Sequence, residues 1–350
     1  MDKNRMNEIK ERLLFLMGSP SQPPHAETAE DWAEVENLMR ELEQMKQDIA
    51  KIITPEKYSI AVSKLSKCAV ELINNEGGEI QTSKKKNICV RLSVGFNDAL
   101  LLPANYTKYH DAIQMTIGSL KDSGAKCFTA EQVYRAMNGL TTHDYVTPQA
   151  VAAVTKAIRQ LNNLWVTIDR SEEVKAFPRL KDVVSVISQK RIIPYNEIMT
   201  ITNKAGREVT AYILDKLPPI YEYSKDKGQI RSLPQSLFNI KGLNSSAENT
   251  AIKIWLLQQI ESMKPSQNGT CRDRTINFDT LFRDLRYDII LTESNPRAHR
   301  ARYIKQIFKM LDYWTNCGYI SGYTVERGIG RGNPIKSVTI SLPDKKESPQ

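Results

Sequence analysis

Asn295-Pro-Arg-Ala-His-Arg-Ala-Arg-Tyr-Ile-Lys-Gln-Ile-Phe-Lys-Met-Leu-Asp-Tyr-Trp314 is the stretch whose reading decides the fold. Asn295 offers an N-cap oxygen, and Pro296 suits the first helical position, where its missing N–H would be unpaired anyway. Ile304, Ile307, Phe308, Leu311 and Trp314 recur every three or four residues, so the spacing predicts one apolar helix face. A turn of about 100° per residue puts Arg302, Lys305, Gln306, Lys309 and Tyr313 on the far side, with Arg297 and Arg300 in the first turn. Arginine can fork onto guanine, glutamine can pair with adenine, and lysine can neutralise phosphate. The helix therefore reads either as a major-groove reader or as an ordinary amphipathic helix with a solvated basic face.

Its neighbours bear on that choice. Glycine at Gly318 can end the helix, and Tyr319-Ile-Ser-Gly-Tyr-Thr-Val325 and Ile335-Lys-Ser-Val-Thr-Ile340 read as two strands around a glycine-rich tip. Arg327, Arg331 and Lys336 on such a wing could reach a minor groove or flanking phosphates. The plainer reading is a hairpin whose glycines only serve the turn. Upstream, Ser245-Ser-Ala-Glu248 has the capping-box spacing and opens a helix with Ala251, Ile254, Trp255, Gln258 and Met263 on one stripe. Thr275-Ile-Asn277 is a short strand, and Leu281, Phe282 and Leu285 mark a second short helix. Helix, strand, helix, basic helix and hairpin in that order predict a winged helix.

The same order occurs earlier. Ala112, Ile113, Ile117 and Leu120 lie inside a helix over 106–121, and Thr129-Ala-Glu-Gln132 caps a second that ends near Asn138-Gly139. Pro148 starts a third helix with Val151, Val154, Ile158 and Leu161 on one face. Gln149, Ala152, Lys156, Arg159 and Asn163 occupy the opposite face, where the small Ala152 would allow close approach to bases. Trp165-Val-Thr-Ile168 starts a strand; 198–202 and 209–214 flank Asn203-Lys-Ala-Gly206 as an enlarged wing.

The fold class predicted is α+β: two tandem winged-helix domains preceded by a helical N-terminal segment. The boundaries expected are 1–55 for that segment, 56–235 for the first domain, 236–245 for a linker, 246–342 for the second domain and 343–350 for a disordered tail. Charge follows these divisions. Of 49 basic and 40 acidic residues, 1–56 holds 7 and 12, whereas 57–246 holds 26 and 17 and 247–342 holds 14 and 9. Both expected DNA-gripping modules are thus basic, which fits a polyanionic partner better than uniform solubilising charge does.

Within 1–55, Val35, Leu38, Leu42, Met45, Ile49 and Ile52 alternate spacings of three and four, the seam of a coiled coil. That seam predicts either a homodimer or a helix packed on its own domain. No stretch of about 18 apolar residues is present, so no membrane association is expected. The first 30 residues lack the apolar core of a signal peptide. Five scattered cysteines suggest neither a disulfide framework nor a zinc site, so no metal or cofactor is expected and the cytoplasm is the natural location.

The chain resembles the replication initiators of plasmids and mobile elements built from two winged helices, the Rep type. The residues carrying the likeness are Leu217-Pro-Pro-Ile-Tyr-Glu-Tyr223, Asn244-Ser-Ser-Ala-Glu-Asn-Thr250 with Trp255-Leu-Leu-Gln-Gln-Ile260, Leu281-Phe-Arg-Asp-Leu285, the basic helix and the wing ending Val338-Thr-Ile340. The resemblance implies binding to repeats at an origin of double-stranded DNA and recruitment of host replication proteins. The second domain would make the main base contacts through Arg297, Arg300, Arg302, Lys305, Gln306 and Lys309. A winged-helix repressor is the alternative.

No enzymatic role is expected. Gly328-Ile-Gly-Arg-Gly332 lacks the lysine and helix of a phosphate-binding loop, and His25, His110, His143 and His299 form no His-x-His pair. His299-x-x-Arg302 matches a short tyrosine-recombinase box, with Tyr319 or Tyr323 as the conceivable nucleophile; this is the remote alternative.

Overall fold

The computed structural model describes residues 3–17, 25–26, 28–50, 57–83, 88–96, 106–176, 185–202, 208–214, 216–264, 274–285, 296–328 and 334–343. It is an α+β structure whose centre is two helices packed together, α4 (Lys108–Asp122) and α9 (Ala247–Met263). Each begins one copy of the same succession of elements.

In the first copy, α4 is followed by β4 (Cys127–Thr129), α5 (Ala130–Asn138), α6 (Pro148–Asn162), β7 (Tyr195–Thr202) and β8 (Glu208–Leu214). In the second, α9 is followed by β10 (Thr275–Asn277), α10 (Phe278–Asp284), α11 (Pro296–Asn316), β11 (Gly322–Arg327) and β12 (Ile335–Ser341). Both sheets run short strand, last strand, middle strand: β4-β8-β7 and β10-β12-β11. Phe128 and Ile198 flank Tyr212 in one, and Ile276 and Val325 flank Val338 in the other.

Local chemistry sets the helix starts. Thr129 and Gln132 form a reciprocal capping box on α5, Thr147 caps α6 with Pro148 behind it, and Asn277 accepts from the amides of Asp279 and Thr280 on α10. The cap of α9 is Ser246, one residue after the Ser245…Glu248 pattern predicted, and its hydroxyl accepts from the Asn249 amide. Gly139 ends α5 at φ 64°, and a Cβ there would sit 2.7 Å from the Asn239 nitrogen and the Gln235 carbonyl.

Between α6 and β7 the chain inserts β5 (Leu164–Asp169), α7 (Ser171–Lys175) and β6 (Ile187–Arg191). These strands join β2 (Gly77–Ser83) and β3 (Ile88–Phe96) in the antiparallel order β2-β3-β5-β6. The strand beginning at Trp165 therefore belongs to a separate sheet. The hairpin expected as an enlarged wing is β7–β8; its turn residues 203–207 lie outside the described residues.

The linker expected at 236–245 is packed instead. After α8 (Pro219–Asp226), β9 (Ile230–Pro234) pairs with β1 (Lys57–Ala61), and a turn of 3₁₀ helix follows at Gln235–Phe238. Leu237, Phe238 and Ile240 are buried in a core that runs from Tyr58 to Ile340. Phe238 packs against Tyr58 with ring centroids 4.4 Å apart and the planes tilted by 41°. Apolar burial at about 25 cal/mol per Å² holds this segment down, although its sequence lacks helical or strand periodicity. Helix α9, read as one apolar stripe, is buried on nearly every side because α4 and α3 (Lys64–Asn74) cover the face its own module leaves open.

The N-terminal segment forms α1 (Lys3–Met17), which the sequence reading missed, and α2 (Ala29–Ala50). Val35 and Leu38 pack on Leu13, Leu16 and Ala26 of the same chain, and Arg12 grips Glu34 at 2.8 and 3.0 Å. At those two residues the apolar partner is α1, alongside in the same chain, as in the second of the two readings of the seam. The side chains of Leu42, Met45 and Ile49, all of Ile52 and the tail 344–350 lie outside the described residues.

Candidate nucleic-acid interface

Helix α11 is anchored by Tyr303, Ile307, Met310, Leu311 and Trp314, all buried. Trp314 Nε1 donates to the Leu237 carbonyl at 3.0 Å, fixing the helix to the segment between the modules. Ile304 and Phe308, expected at the centre of the apolar face, are only half-buried, and Tyr303 and Met310 take the inner positions. The face has rotated by about one residue relative to the pattern.

This rotation sorts the predicted contact residues. Arg302, Lys305 and Lys309 are exposed along one stripe with Ala298 and Ala301. Arg302 lies over the ring of its neighbour Tyr303, 5.1 Å from the centroid, and Lys309 Nζ is 3.4 Å from the Gly242 carbonyl. Arg300 turns away from the stripe: its Nη2 donates to Asp279 Oδ1 at 2.8 Å and its guanidinium covers Phe282 at 4.9 Å. Gln306 is half-buried and its Oε1 is enclosed by protein, so it too leaves the outward face. Arg297 belongs to the first turn of the helix; its side chain lies outside the described residues. On the hairpin, Arg327 and Lys336 are exposed, and Arg331 lies outside the described residues.

Helix α6 repeats the arrangement. Val154, Ala157, Ile158, Leu161 and Asn162 are buried, and Gln149, Ala152, Ala153, Lys156 and Arg159 are exposed. Asn163, predicted on the outward face, is the half-buried C-cap that follows the helix. Two features were missed in the sequence: Ala153, which widens the small outward patch beside Ala152, and Tyr145, which is 80% exposed two residues before the Thr147 cap. An aromatic residue in an otherwise polar turn was the available signal for Tyr145.

The phenols of the recombinase alternative are not primed to attack. Tyr319 donates to Glu261 at 2.7 Å, and burial together with that carboxylate pushes its pKa well up. Tyr323 donates to Asp312 at 2.6 Å, and burial and the same kind of bond raise it to about 12. An attacking phenolate needs the opposite shift.

Away from both helices, a cavity of about 520 Å³ lies among α3, α9, β10 and α10, lined in part by Glu71, Trp255, Arg283 and Asp284. Trp255 Nε1 donates to Asp284 at 3.1 Å, and burial raises that carboxyl's pKa. None of the predicted contact residues lines it. Glu79, Cys89 and Glu172 bring ligand atoms within 4.8 Å of one another, but Glu79 pairs with Arg91 at 3.4 Å and Glu172 accepts the Cys89 amide at 2.8 Å. No helix among the described residues is long and apolar enough to cross a membrane.

The chain matches no protein-family model and no curated protein. Two solved structures align over most of its length. One is a selenomethionine derivative of domains 2 and 3 of RctB, with TM-score 0.40 and 9% identity over 80% of this chain and 99% of that one. The other is a further crystal structure of RctB domains 2–3, with TM-score 0.42 and 10% identity over 76% and 91%.

Proposed function

We propose that the chain is a sequence-specific double-stranded DNA-binding protein with two winged-helix heads, acting as a replication initiator of a plasmid or mobile element at origin repeats. The observation that carries this reading is the doubled element order, in which each third helix buries one face and exposes methyl and basic groups on the other, joined on α6 by the Gln149 amide. Helices displayed in this way can enter a major groove about 12 Å wide. Lys156, Arg159, Lys305 and Lys309 supply charge for phosphates, which sets register, while Gln149 and Arg302 reach base edges, which sets sequence. Arg327 and Lys336 extend the grip from the second hairpin toward the neighbouring groove. The protein acts by binding in the cytoplasm, without a covalent step.

The test is selection of bound fragments from random duplex DNA by the full-length protein, followed by titration over a salt series. Recovered sites in direct repeat, with affinity falling steeply as salt rises, support the initiator. Inverted half-sites assign the fold to a repressor instead, and no enrichment over non-specific DNA overturns the reading.

A further inference from the structure

The two outward faces are in register with each other. Val154, Ile158 and Leu161 of α6 occupy the places that Tyr303, Ile307 and Met310 occupy in α11, the same number of residues apart, and all six are buried. Carrying that register outward pairs Gln149 with Ala298, Ala152 with Ala301, Ala153 with Arg302 and Lys156 with Lys305, and all eight are exposed. Two of the four positions are alike, an alanine and a lysine. The other two are exchanged in kind: α6 carries an amide then a methyl, and α11 a methyl then a guanidinium.

That exchange has a chemical consequence in a major groove. A glutamine amide pairs bidentately with adenine N6 and N7, and an alanine methyl packs on the thymine methyl, so Gln149, Ala152 and Ala153 together favour A·T pairs. Arginine forks onto guanine O6 and N7, so Arg302 favours a G·C pair. Of the other groups that would blur this distinction, Arg300 is bound to Asp279 and Gln306 is half-buried, while the exposed Arg159, one turn beyond Lys156 on α6, is assigned to a phosphate. We infer that the two heads read unlike base pairs, α6 an A·T-rich half and α11 a guanine-containing half. The duplex recognised is then a composite site, and each repeat at an origin would hold one of each half.

This inference rests on the DNA-binding reading, and one experiment separates their failures. Full-length wild type, Gln149→Ala, Arg302→Ala and Ala153→Arg are each used to select from random duplex DNA, with circular dichroism as the folding control. The wild type should enrich a site with one A·T-rich and one guanine-bearing half. Gln149→Ala should relax only the first, and Arg302→Ala only the second, each weakening the wild-type site roughly 5- to 150-fold. Ala153→Arg should bring guanine into the A·T-rich half. Two identical halves, or both alanine variants relaxing the same positions, overturn the composite site while leaving DNA binding in place. No enriched sequence for the wild type overturns the DNA-binding reading itself.

Discussion

Lys253 Nζ lies 3.2 Å from Asn138 Oδ1, a contact between the first helix of the second module and the end of the second helix of the first. The same ammonium donates to the Phe238 carbonyl at 2.7 Å, and Thr250 donates to the same Asn138 oxygen at 2.9 Å. Lys253 is only 4% exposed. One buried polar knot therefore ties together both modules and the segment joining them, within a core that is otherwise continuous. An amine hydrogen-bonded there has a directional requirement that greasy contacts lack, so it favours one angle between the two modules.

Burial pushes the pKa of Lys253 down to about 7. An unfolded lysine titrates near 10.4, so between pH 7 and 10 the unfolded chain holds a proton that the folded chain has released. Stability contributed by this group should rise with pH across that window and be flat below it. Urea melts at pH 7 and 9 should show Lys253→Met losing this rise, a difference of at most roughly 3 kcal/mol. Parallel pH profiles for wild type and variant would show that the lysine is not the titrating group.

Gly118 in α4 faces the ring of Tyr221, and a Cβ at that position would lie 2.4 Å from the ring's Cγ. Alanine gains about 1 kcal/mol in helix propensity over glycine, whereas overpacking a core costs typically about 1–3 kcal/mol. The ring has little freedom to yield, because Tyr221 is buried and its hydroxyl donates to Asp122 at 3.1 Å. Gly118→Ala should therefore destabilise by up to about 2 kcal/mol in a chemical melt. Gly124→Ala is a poor control, since φ there is +96° and strain would confuse the result.

What the sequence made legible was local. Val154, Ile158 and Leu161 stand where their spacing put them, because a helix face depends only on neighbours within a turn or two. Inner positions filled by Tyr303 and Met310 were passed over because Ile304 and Phe308 fit the same three-to-four spacing, and the predicted face came out one residue off. Pairings such as Tyr58 with Leu233 and Val166 with Lys190 join distant segments, and no periodicity reports them. The segment 236–245 read as a linker for the same reason: its buried Leu237, Phe238 and Ile240 sit in a stretch too short to show a period. Among the candidate contacts, Arg300 and Arg302 could be told apart only once Asp279 and Phe282 were in place.

That distinction gives a paired prediction. Arg302→Ala should weaken the cognate site by about 1–3 kcal/mol and relax one base position, measured by fluorescence anisotropy on matched and mismatched duplexes. Arg300→Ala should leave base preference unchanged. Its pair with Asp279 is a partly exposed one, with side chains 33% and 70% accessible, so stability should fall by less than about 1 kcal/mol. A specificity change at Arg300 and none at Arg302 would reverse the assignment of the outward face.

Lys305 and Lys156 hold matching outward positions on the two helices, one turn beyond Arg302 and Ala153. A lysine that neutralises one phosphate contributes about one unit to the slope of log affinity against log salt, whatever the sequence bound. Lys305→Ala and Lys156→Ala should therefore each lower that slope by about 1 and weaken cognate and random duplexes alike. The double variant should lower it by about 2 if both heads engage one duplex at once. Were only one of the two lysines to change the slope, the other helix would be standing off the DNA, and the two-headed grip would reduce to a single reading helix.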